Sequence, residues 1–166
     1  MTAASADWEN RMAALWTRID DYEDDEFVAL VETLAAELSP DSAVGLFERA
    51  GALDSTGHPD RAVPLYRAAL GAGLAGQRRR QAVIQMASSL RNLGNAREAV
   101  TLLTAEADAA SDDLDGAVAT FLALALADLG REREALAVAL TALSNYLPRY
   151  NRSAARYAQT LTEQSP

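Results

Sequence analysis

Apolar residues recur at helical spacing from one end of this chain to the other. Trp8, Met12, Leu15, Trp16 and Ile19 fall at i, i+4, i+7, i+8 and i+11, one face of a helix. Phe27, Leu30, Val31, Leu34, Ala35 and Leu38 predict a second helix, which Ser39-Pro40 breaks. Behind Pro148, the stripe Tyr150, Ala154, Tyr157 and Leu161 predicts a further amphipathic helix. Tryptophan and tyrosine at such spacing read as core. No strand-like run interrupts the pattern, so the chain reads as all-α, with about nine helices.

Between these flanks the pattern repeats itself. The segments starting at Gly57, Gly94 and Gly130 align without a gap, and the glycines lie 37 and 36 residues apart. Ala62, Ala99 and Ala135 follow each glycine by five positions, and Ala50, Ala87 and Ala123 precede it by seven. Leu53, Leu90 and Leu126 precede it by four. Each position has a physical role. The glycine ends a helix in a left-handed conformation that a Cβ would strain. The paired alanines let two helices approach closely, and the leucine fills the adjoining core.

This pattern resembles the tetratricopeptide repeat. The small, large, turn, alanine and bulky positions of that family fall on Ala50/Leu53/Gly57/Ala62/Tyr66, Ala87/Leu90/Gly94/Ala99/Leu103 and Ala123/Leu126/Gly130/Ala135/Ala139. The period exceeds the family's usual length of about 34, which longer loops at 71–77 and 109–115 would explain. The family's closing proline is missing, and Glu106 stands where the other repeats have Ala69 and Ala142. The resemblance implies a right-handed α-α superhelix, a tetratricopeptide solenoid of three repeats with capping helices at both ends. The implied boundaries are a degenerate helical pair at 6–38, repeats at 43–76, 80–113 and 116–146, and a capping helix at 149–163, all in one domain. The stretch 78–94 is also similar to a group of short tetratricopeptide proteins of actinobacterial type, for which no activity carries over.

Composition narrows the function classes. The 36 alanines and 15 arginines, with no lysine, favour helix throughout. Without cysteine there is neither a disulfide nor a thiolate metal site. The start of the chain lacks a secretory pattern, and its longest nearly uncharged apolar run, 117–127, is short of the roughly 20 residues that span a bilayer. A cytoplasmic protein with no membrane partner is expected. Residues 1–60 carry 14 acids against 3 arginines, and residues 61–166 carry 10 against 12, within a net charge of −9. Such an acidic chain repels phosphate backbones, which argues against nucleic acid.

The candidate chemical motifs are weak. Residues 71–76 spell G-x-G-x-x-G but follow a helix, whereas a dinucleotide fold needs a strand there. Arg78, Arg79 and Arg80 could hold an anion, though an edge facing the acidic N-terminal region accounts for them. The acidic run at 20–26 lacks the order of a calcium loop, and its last three residues suit the start of a helix. His58 is the one histidine, which makes a catalytic triad or zinc site improbable. No catalytic residue, metal or cofactor is expected.

What the resemblance does imply is a concave groove lined by the first helix of each repeat. Its positions fall on Phe47, Gln81, Ile84, Ser88, Arg91, Asn92, Thr120 and Leu124, with Gln85 one turn from Gln81. Phe47, Ile84 and Leu124 would be apolar anchors, and the middle of the face, Gln81, Ile84, Gln85, Ser88, Arg91 and Asn92, is expected to be open to solvent. The expected function is therefore an adaptor or scaffold that binds another protein or peptide. The alternative is a self-assembling module, a homo-oligomer driven by the acidic N-terminal region.

Overall fold

The computed structural model describes residues 4–109 and 111–163. Among them are nine α-helices and no strands: α1 (Ala6–Trp16), α2 (Asp24–Ala35), α3 (Ala43–Ser55), α4 (Pro59–Gly71), α5 (Gly76–Asn92), α6 (Ala96–Ala107), α7 (Asp115–Asp128), α8 (Glu132–Ser144) and α9 (Asn151–Glu163). The chain belongs to the all-α class of paired helices. Packing divides it into two compact units, Met1–Ser89 and Leu90–Pro166, and the boundary falls inside α5.

The repeated glycines end helices as their spacing predicts. Gly57, Gly94 and Gly130 have φ of 80°, 82° and 72°. Behind each, the same hydrogen bond closes the helix end: His58 N–H donates to Leu53 O, Asn95 to Leu90 O, and Arg131 to Leu126 O, at 2.8, 2.8 and 3.0 Å. This six-to-one bond satisfies a carbonyl that the helix leaves orphaned. The repeat leucines are therefore core residues and also the acceptors of the turn. So short a turn folds the next helix back, and α3 packs on α4 and α7 on α8.

In the first unit, Trp8 and Met12 of α1 meet Phe27 and Val31 of α2 in one core with Leu38 and Ala52. The Trp16 ring stands edge-on to Phe27 at 5.0 Å. It also lies so near Gly51 on α3 that a Cβ there would sit 3.2 Å from it. Ser5 caps α1 and Ser42 caps α3, accepting from Trp8 N–H and Gly45 N–H. Asp24, Asp25 and Glu26 occupy the first turn of α2, where the helix dipole favours them.

In the second unit α6 packs on α7, and α9 packs on α8. Here α9 departs from expectation. Tyr150 and Tyr157 are 78% and 62% exposed, and Ala158 is the buried residue. Small side chains let α9 lie close to α8, and the bulky tyrosines are turned outward. Tyr150 sits outside the helix, with φ 66°.

Ala99 is fully buried, as the register requires, but Ala96 at the start of α6 is buried as well. Both sites should therefore overpack. Ala99→Leu is expected to cost about 1–3 kcal/mol in a denaturant titration. Substitution at the neighbouring exposed Arg97 should stay within about 0.5 kcal/mol.

Candidate partner-binding surfaces

The predicted groove residues divide between the two units. In the first, Phe47 and Ile84 are buried, 7% and 4% exposed, so the expectation of open apolar anchors fails at both. The Phe47 ring packs at 6.3 Å from that of Tyr66, which is itself core. Gln81, Gln85 and Ser88 are half-buried, and the Oε1 of Gln85 is buried without a hydrogen-bond partner. In the second unit Arg91 is ion-paired to Asp128, Asn92 is exposed, and Thr120 donates its hydroxyl to Gly116 O. Leu124 is 41% exposed.

Two polar clusters hold the first unit together. Arg78 reaches Glu9 at 2.5 Å and Glu48 at 3.3 Å, while Trp16 Nε1 donates to Glu48 at 2.7 Å. The arginine is thus a tie between α1, α3 and α5, not a free anion site. Arg80 is buried. The second cluster is Asp54, which accepts from Ser89 Oγ at 2.5 Å and from the Tyr66 hydroxyl at 3.5 Å. Around the G-x-G-x-x-G motif, α4 ends at Gly71 and α5 opens at Gly76. Gly73 (φ 86°) makes the same helix-ending turn as the repeat glycines, with Leu74 N–H donating to Ala69 O.

Burial pushes the Glu48 carboxyl above the usual carboxylate range, outweighing the Trp16 and Arg78 hydrogen bonds. Asp54 moves the same way, again because of burial. A carboxyl raised in the native state holds its proton more tightly there than in the unfolded chain. Its contribution to stability is complete below the ordinary carboxylate pKa and is lost as pH rises through the raised value. Exposed Glu37 acts in the opposite sense, because the Arg11 hydrogen bond lowers its pKa. Mild acidification from neutral pH should therefore raise the Tm before such lowered carboxylates protonate. Glu48→Gln, which keeps an acceptor for Trp16, should flatten that rise. An unchanged slope in the variant would remove Glu48 as its source.

The second unit carries an open apolar groove of about 510 Å³ between α7 and α8. Its walls include Gly116, Thr120, Ala123 and Leu124 from α7, and Ala135, Leu136, Ala139 and Leu143 from α8, with Tyr146 beyond. Large apolar side chains are left in solvent here: Leu136 is 49% exposed, Leu143 51% and Tyr146 71%. The Tyr146 hydroxyl closes one end, 2.8 Å from where a Cβ on Gly116 would stand. Of the groove residues named from the sequence, Thr120 and Leu124 line this surface. Leu136, Leu143 and Tyr146 were missed. A signal for them was present in the alignment, since the bulky position occupied by Tyr66 and Leu103 shrinks to Ala139 in the third repeat.

Among the described residues no helix is long and apolar enough to cross a membrane. No group of three or more histidine or acidic residues among them is placed to hold a metal ion. The family model for the tetratrico peptide repeat matches residues 43–161, well over half of the chain. No curated protein and no solved structure matches it.

Proposed function

The chain belongs to the tetratrico peptide repeat family, and on that premise we propose that it is an adaptor that binds another protein, with the α7–α8 groove as the interface. The observation that carries this reading is the exposure of Leu124, Leu136, Leu143 and Tyr146 along one groove. Apolar side chains gathered in a concavity, not scattered singly, mark a surface that a partner covers. Leucines along the groove with Tyr146 at its end fit the apolar, aromatic-bearing core of such an interface. Gln81, Gln85 and Ser88 offer a separate polar face in the first unit. The likeness of residues 78–94 to a short actinobacterial-type group adds no activity to this reading.

Affinity capture tests it. The full chain and a Leu124→Glu, Leu143→Glu variant are immobilised side by side, with an Arg97→Glu variant as control. Proteins retained by the parent and the control should be lost from the groove variant. Equal retention by all three would remove the groove as the interface. A second reading, self-assembly, is favoured by the charge distribution, since residues 1–60 carry −11 and residues 61–166 carry +2. It predicts an oligomer in gel filtration at low salt that dissociates as salt screens the contact.

A further inference from the structure

Helix α9 packs on α8 and buries Ala158, and it presents its other side to solvent. Arg152, Arg156 and Tyr157 are exposed there, with Arg149 and Tyr150 exposed just ahead of the helix. Arg152 and Arg156 stand at i and i+4, neighbours on one helix face. Arg156 lies over the Tyr157 ring at 5.3 Å, a contact that holds the guanidinium against a flat apolar surface. Residues 135–162 contain these three arginines and no acid. Among the described residues, no carboxylate is paired with any of them.

The opposite charge is gathered in the first unit. Asp20, Asp21, Glu23, Asp24, Asp25 and Glu26 are six carboxylates in seven positions, all exposed. Arg18 takes up Asp21. The other five side chains have no ion pair or hydrogen bond among the described residues. Three of them share the first turn of α2, about 5 Å of helix, and Arg152 and Arg156 lie about 6 Å apart along α9. The two sets therefore match in length as well as in sign. Arginine and tyrosine are also the residue types on which binding energy concentrates.

A second copy of the chain carries both surfaces. The net charge of −9 repels copies at large, which favours the approach that sets the acidic run of one chain on the arginines of the next. Resting on the self-assembly reading, we infer that the outer face of α9 is a docking surface for the segment 20–26 of a second copy. Arg152 and Arg156 take its carboxylates, and Tyr157 supplies the apolar centre. The two surfaces differ, so the contact is heterologous and copies add head to tail.

Light scattering of the full chain tests this. At about 0.01 M salt, where charges act over about 30 Å, the mass should exceed the monomer's, and at about 1 M it should fall back to it. Arg152→Glu with Arg156→Glu should abolish association. So should Asp20→Arg, Glu23→Arg and Asp25→Arg together, which leave three acids against three arginines in the run. All five side chains are exposed, so each variant's Tm should match the parent's. An equimolar mixture of the two variants should form a dimer and nothing larger, because one supplies an intact acidic run and the other an intact α9. If the arginine variant fails to fold, Asp20→Asn, Glu23→Gln and Asp25→Asn replace it, and association should weaken. A parent that is monomeric at low salt would overturn the docking surface and the self-assembly reading together. Association kept by both variants would overturn the surface and leave self-assembly standing, and its loss on Leu136→Asp would then place the copies at the α7–α8 groove. A mixture that stays monomeric would overturn the head-to-tail contact.

Discussion

Replacing Trp8 with alanine is expected to lower the unfolding free energy of the first unit by about 3–5 kcal/mol. Trp8 is 2% exposed and shares its core with Met12, Phe27 and Val31. Its removal takes the largest buried side chain from α1 and leaves a cavity that two short helices cannot close. The indole also donates from Nε1 to Leu34 O at 2.8 Å, tying α1 to the end of α2. Trp8→Phe separates the two contributions. It keeps most of the apolar volume, and loss of the hydrogen bond should cost about 1 kcal/mol. Urea titration followed by circular dichroism measures both variants. A loss below about 1 kcal/mol for the alanine variant would show that α1 lies outside the cooperative unit, against the packing of Trp16 over Gly51 and the ties from Arg78.

Leu103→Ala is expected to cost about 2–5 kcal/mol, and Leu136→Ala, the same chemical change, less than about 0.5 kcal/mol. Leu103 is fully buried on α6, and Leu136 is 49% exposed on α8. The comparison tests the repeat register directly. Leu103 occupies the bulky position of its repeat, and Leu136 stands one place after the repeated alanine, on the rim of the groove. Comparable losses at both sites, measured by the same titration, would mean that Leu136 is covered in solution. Coverage that vanished on dilution would identify it as a contact between molecules.

Helices, turns and repeat register were legible in the residues because each depends on local chemistry. A glycine that must take positive φ, a leucine four places earlier whose carbonyl the turn recaptures, and alanines where two helices touch do not need distant partners to be recognised. The same holds for the acidic first turn of α2. By the family pattern Thr120 and Leu124 fall on the first helix of the third repeat, and both lie in α7. Exposure was a different matter. Phe47 and Ile84 sit at groove positions by register, yet neighbours in the fold bury them, and no spacing rule reports that. On α9 the amphipathic stripe favoured tyrosines as core, but the helix has α8 alone as its main packing partner, and the close approach went to Ala158. The α7–α8 groove is open where Ala139 stands in place of a filling side chain. What this sequence determined by itself was where the chain turns helical and where it reverses, since those are settled within a few residues. Which apolar faces are buried and which stay open was decided only in the tertiary structure, because burial depends on whether another element is there to pack.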